Sequence, residues 1–101
     1  MLLTQFITLM YRIIELSAVS SVRFWATEVL TELGQRLNRE HDLRSAMAVT
    51  NTEREEVGLI VKLESGESVE ILSDMIEFES DFVEIRGGHI IPIKAIERVE
   101  I

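Results

Sequence analysis

Glu40-His41-Asp42 sets three metal-ligating side-chain types side by side. Neighbours on a helix point about 100° apart, and neighbours on a strand point to opposite faces. Three in a row therefore do not converge on one ion, and no metal site is expected there. His89 follows Gly87-Gly88, a turn that would expose an imidazole for proton transfer. No serine, lysine or carboxylate is spaced to work with it, so it reads as a surface residue at a strand start. Glu77, Glu79, Asp81 and Glu84 offer carboxylates to a weakly held cation. Their near-alternating spacing reads better as the solvated face of strands whose other face is core. Gly87-Gly88 lacks the Lys-Ser/Thr and the helix of a phosphate-cradling loop. The absence of cysteine excludes a disulfide framework, a thiolate zinc site, an iron–sulfur cluster and a thiol nucleophile. No catalytic residue, cofactor or metal is expected, and the protein reads as a non-enzyme.

The charge is more informative. Residues 1–50 carry five acids and five bases, whereas residues 51–101 carry thirteen acids and five bases. The whole net charge of −8 thus belongs to the second half. Phosphate backbones and anionic lipid both repel such a surface, and its simplest effect is solubility. At 101 residues there is room for one small domain and no cleft between two large ones. A hydrophobic share of 47%, with one proline and five glycines, belongs to a chain that folds. The lack of cysteine fits a reducing cytoplasm.

The first element must be placed with care, because residues 1–16 (MLLTQFITLMYRIIEL) are very apolar. No basic residue precedes Arg12, as a signal peptide would require. Arg12 and Glu15 interrupt the run well short of the ~20 residues of a membrane span. One arginine also makes a poor polar face for an interfacial helix. The spacing instead predicts a buried helix: Leu3, Phe6, Ile7, Met10, Ile13 and Ile14 form one stripe, and Leu2, Leu9 and Leu16 a second. A second helix is expected from Val22 to Leu37, with Trp25 on its apolar stripe and a bend or break at residues 17–21. Residues 38–56 read as the boundary, with a short helical turn from Asp42 to Met47.

From Val57 the period changes to two. Val57–Leu63, Val69–Ile71, Ile76–Glu79, Val83–Arg86, His89–Ile93 and Val99–Ile101 read as short strands. Turns are expected at Gly66, Ser80-Asp81, Gly87-Gly88 and Lys94-Ala95-Ile96. The expected architecture is α+β. Residues 1–50 form a helical oligomerisation and capping segment, a hairpin or bent helix. Residues 51–101 form a small five-stranded antiparallel barrel.

The runs VGLIVKLESGESVEI, MIEFESDFVEIRGG and HIIPIKAIERVEI resemble the first bent hairpin, the middle strands and the closing strand of an Sm-like barrel, over about half the chain. IPIKAIERV is similar also to the ending of PRC-type barrels. The Sm-like resemblance implies rings and RNA binding, which Lys62, Arg86, Lys94 and Arg98 would have to carry on one surface. Sm-like RNA chaperones of bacteria place a Lys-His pair before the Ala-Ile of the last turn. Here Ile93-Lys94 precedes Ala95-Ile96, so the histidine is missing. The leading expectation is therefore a non-catalytic assembly or adaptor module that homo-oligomerises, with nucleic-acid binding as the alternative. Leu3, Phe6, Met10, Ile13 and Trp25 would form the interface. The expected partner is another copy of the chain or a second protein, not a membrane.

Overall fold

The computed structural model describes residues 11–101. Strand β1 (Arg12–Ile14) is followed by a 3-10 turn (Leu16–Ser21), an extended stretch, and one helix, α1 (Leu33–Glu53). Then come β2 (Val57–Lys62), β3 (Ser68–Ser73), β4 (Ile76–Glu79), β5 (Phe82–Ile85), β6 (His89–Pro92), a second 3-10 turn (Ile93–Ala95) and β7 (Ile96–Glu100). The strands form two sheets, ordered β1-β3-β2-β7 and β4-β5-β6. All pairs are antiparallel except β1 with β3, where Arg12, Ile13 and Ile14 lie opposite Val69, Glu70 and Ile71.

The core lies between the sheets. Leu59, Val61, Val69 and Ile71 face Ile76, Val83, Ile85 and Ile91 across it, all fully buried. Helix α1 contributes Arg39, Leu43, Ala46 and Thr50, at spacings of four, three and four. The helix packs on both β4 and β7, the facing edges of the two sheets. Its side chains cap those edges: Thr50 Oγ1 accepts from the Ile76 N–H at 3.3 Å, and Arg39 donates to the Ile96 carbonyl at 3.0 Å. On the other side the first 3-10 turn lies against β3 and β6.

This arrangement overturns the expected closed five-stranded barrel. Seven strands form two open sheets, because a helix and a 3-10 turn fill the gaps where closing strand pairs would be needed. The bend at Ser73 separates β3 from β4. Its hydroxyl donates to the Met75 carbonyl and accepts from the Met75 and Arg86 amides, so the chain leaves the first sheet there.

The expected N-terminal helical hairpin or bent helix is overturned as well, over residues 11–32. Its first part, residues 3–10, lies outside the described residues. β1 and extended backbone occupy most of the remainder. Ile13, Ile14, Val19 and Val22 are β-branched, Ser17, Ser20 and Ser21 compete for backbone hydrogen bonds, and sheet pairing outweighs the helical spacing. The helix begins at Leu33, inside the end of the expected second helix, and runs on through the stretch read as a boundary, taking in the expected Asp42–Met47 turn; that stretch is rich in Arg, Leu, Glu and Ala. The extended stretch is pinned along β2: Phe24 bridges Leu63, and the Trp25 N–H donates to the Lys62 carbonyl at 3.0 Å. Glu28 then binds the buried Arg39 through two 2.7 Å hydrogen bonds, tying this stretch to α1.

Strand boundaries from Val57 onward agree with the period-two reading to within two or three residues. Gly66 takes φ 93° and Gly87 φ 91°, left-handed conformations that glycine adopts without a Cβ clash. A Cβ at Gly87 would also press on the His89 ring at 3.0 Å.

Candidate functional site

Two surfaces leave large apolar side chains in solvent beside a strand that is outermost in its sheet among the described residues. The first surrounds β1, the outer strand of the four-stranded sheet. Ile13 is 56% exposed there. A hollow of about 380 Å³ opens beside it, lined by Ile13, Ile14, Leu16 and Leu72 among others. Arg12 and Glu67, a 2.8 Å ion pair, anchor β1 to the β2–β3 turn. Their hydrogen bond lowers the Glu67 carboxyl below its ordinary range and raises the Arg12 guanidinium. The pair is exposed, so its role is register rather than stability.

The second surface is the outer face of β4, β5 and β6. Pairing aligns Glu77, Glu84 and Ile90 in one row, and Glu79, Phe82 and Pro92 in the next. Ile76, Val83, Ile85 and Ile91 point into the core, so these two rows point out. Phe82 is 51% and Ile90 49% exposed. They line a hollow of about 430 Å³ together with Glu77, Glu79 and Glu84. Covering what remains exposed of each would contribute about 1 kcal/mol. No ion pair among the described residues involves these three carboxylates.

The edge of β6 belongs to this surface. The Ile93 N–H donates to the Asp81 carbonyl at 2.9 Å, which fixes the alternation of hydrogen-bonded pairs between β5 and β6. Glu84–Ile90 and Phe82–Pro92 are then the pairs without mutual hydrogen bonds. The Ile90 N–H and C=O therefore point away from β5. Pro92, which has no N–H, occupies the next outward position, where a proline interrupts no ladder.

Sequence-expected residues fall as follows. Leu3, Phe6 and Met10 lie outside the described residues. Ile13 stands exposed on β1. Trp25 is partly buried against the core, its Nε1–H donating to Thr27 Oγ1 and the Lys62 ammonium lying 4.1 Å from its ring centroid. Of the four cations expected to gather, Lys62 is taken up by Trp25, Arg86 by Asp74 at 2.7 Å and Arg98 by Glu100 at 2.8 Å. The Arg86 hydrogen bond lowers the Asp74 carboxyl. Lys94 lines a groove that also holds Glu28, Glu40 and Asp81. His41 and Asp42 meet each other at 3.3 Å on an exposed face of α1, and Glu40 turns to Arg44. Among the described residues, no three His, Asp or Glu side chains are grouped so that they could hold one metal ion. No helix among them is long and apolar enough to cross a membrane.

Phe82 and Ile90 were missed as site residues, although a signal for each exists. Phe82 shares the parity of Glu84 along one strand, so it must share the carboxylate face. In His89-Ile90-Ile91-Pro92, one of two adjacent isoleucines must point out. No protein-family model, curated protein or solved structure matches the chain.

Proposed function

We propose that the protein is a non-catalytic assembly module that binds a second copy of itself through the β1 side. The observation that supports this most is the exposed Ile13 on an outer strand beside the Ile14–Leu16–Leu72 hollow. An unpaired strand edge next to apolar surface is a template for pairing with another chain. In a chain of net charge −8, association favours a place where carboxylates are few. Glu15 and Glu56 are the acids lining this hollow, whereas Glu77, Glu79 and Glu84 crowd the other one. A two-fold pair would set each Ile13 against the partner's hollow. The cysteine-free composition fits action in a reducing cytoplasm.

The test is the solution mass of the full chain by native mass spectrometry and light scattering. A dimer or larger assembly is expected at micromolar concentration, converted to monomer by Ile13→Glu with the circular dichroism unchanged. A monomeric wild-type chain overturns the reading. So does an assembly that Ile13→Glu leaves intact.

A further inference from the structure

The outer face of β4–β6 calls for a different occupant. Its apolar residues lie towards β6 (Ile90, Pro92) and centrally (Phe82), and its carboxylates towards β4 (Glu77, Glu79) and centrally (Glu84). Glu77 and Glu84 are direct cross-strand neighbours, an arrangement that like charges disfavour. Six acids of the described structure sit in ion pairs, Glu28, Glu40, Asp42, Glu67, Asp74 and Glu100. Glu77, Glu79 and Glu84 are among the acids outside those pairs, and they are the ones gathered on one face around Phe82 and Ile90.

A second copy of the chain fits poorly. A two-fold contact through this face would set three carboxylates against three more. Of the ten bases, five arginines are held in ion pairs, Arg36 binds the Leu30 and Thr31 carbonyls and Lys62 lies over Trp25, which leaves Arg23, Arg54 and Lys94 for a contact from another region of a copy. Nucleic acid and anionic lipid bring the wrong sign. An apolar ligand alone would desolvate the carboxylates without compensating them.

We infer that this face docks a basic–apolar segment of a different protein, whose apolar side chains cover Phe82 and Ile90 while its lysines or arginines meet Glu77, Glu79 and Glu84. The first 3-10 turn lies against β6 and Pro92 offers no N–H, so contacts with the face rather than strand addition carry the docking. Charge complementarity sets the orientation, because cations must lie towards β4 and apolar groups towards β6. This inference goes beyond self-association and uses none of its residues.

The experiment titrates the isotope-labelled full chain with a short synthetic peptide alternating lysine and leucine. Analogues with every lysine replaced by glutamate or by glutamine are run in parallel. The lysine peptide is expected to shift the amides of Phe82, Glu84 and Ile90, and to bind more weakly as salt rises. Phe82→Ser and the Glu77→Gln/Glu84→Gln pair should each lower affinity at least tenfold. Equal binding of the glutamate analogue, or lysine-peptide shifts confined to other residues, overturns the inference. It is overturned equally if oligouridylate shifts the same amides, or if they shift on raising protein concentration alone. An Ile13→Glu chain that is monomeric and still binds the peptide separates this face from the β1 contact. Loss of assembly with retained peptide binding thus bears on one proposal only.

Discussion

The two sheets treat their central strands differently. In the four-stranded sheet, β2 is buried from Val57 to Val61 without a break. Even Ile60, which points away from the inter-sheet core and sits in register between Glu70 and Arg98, is only 1% exposed. In the three-stranded sheet, β5 alternates strictly: Phe82 and Glu84 out, Val83 and Ile85 in. A strand covered on both faces can only hold the fold together. A strand covered on one face can also present something, and here it presents an aromatic ring amid carboxylates. The small domain separates these tasks by sheet.

The largest effect that would sharpen this contrast comes from the scaffold. Leu59→Ala removes a fully buried side chain from β2 and leaves a cavity that its sheet neighbours cannot fill. A loss of about 3 kcal/mol is expected, with Tm lowered by roughly 12 °C or more. Chemical denaturation and a thermal melt measure both. A loss below about 1 kcal/mol would mean that the first sheet is no more rigid than the second, and the division of labour would fail.

Next is the ion pair that holds the extended stretch to α1. Arg39 has a side chain only 6% exposed, against 27% for Glu28. Hydrogen bonds from Arg39, opposed by desolvation and aided by the Leu30 N–H, hold the Glu28 carboxyl below its ordinary range. A carboxyl lowered on folding stabilises the native state fully above the unfolded-state value, about pH 4.3. That contribution is lost as pH falls through the lower native value. Glu28→Gln leaves the buried guanidinium without its counter-charge and should cost about 2 kcal/mol at pH 7. The difference between wild type and Glu28→Gln should shrink once the pH drops below about 4. A difference that stays constant down to pH 3 would show that the charge on Glu28 contributes nothing.

The two halves of the chain differed in how readable they were. After Val57, alternation and turn glycines marked the strands, because a sheet with one face buried has only one register that keeps Val83 and Ile85 inside. Before it, apolar spacing misled. Ile13 and Ile14 fit a helical stripe as well as a strand, and β1 owes its conformation to pairing with Val69–Ile71, more than fifty residues away. No local signal carries such a partner. Helix α1 was hidden for a related reason. Its buried stripe includes Arg39 and Thr50, polar residues that a hydrophobic pattern skips, and its Leu33 and Leu37 face solvent. The docking face was half legible: its carboxylates stood out, but Phe82 fell between the expected turn at Ser80-Asp81 and the strand expected from Val83, and so was not read as that strand's first outward residue.

The smallest predicted effect on stability is the most pointed for the comparison. Glu84→Lys replaces one of two like charges facing each other across β4 and β5. Opposite charges at such a pair favour the sheet, so the variant should be more stable than wild type by about 0.3 kcal/mol. The same substitution reverses the central charge of the face and should abolish binding of the lysine–leucine peptide. Together these outcomes would show a surface that gives up stability to keep three unpaired carboxylates around Phe82. A scaffold position has no reason to do so, and at the fully buried Leu59 truncation is expected to cost stability instead. If Glu84→Lys instead destabilised the chain, Glu84 would be holding the second sheet together, and the carboxylate face would be structural after all.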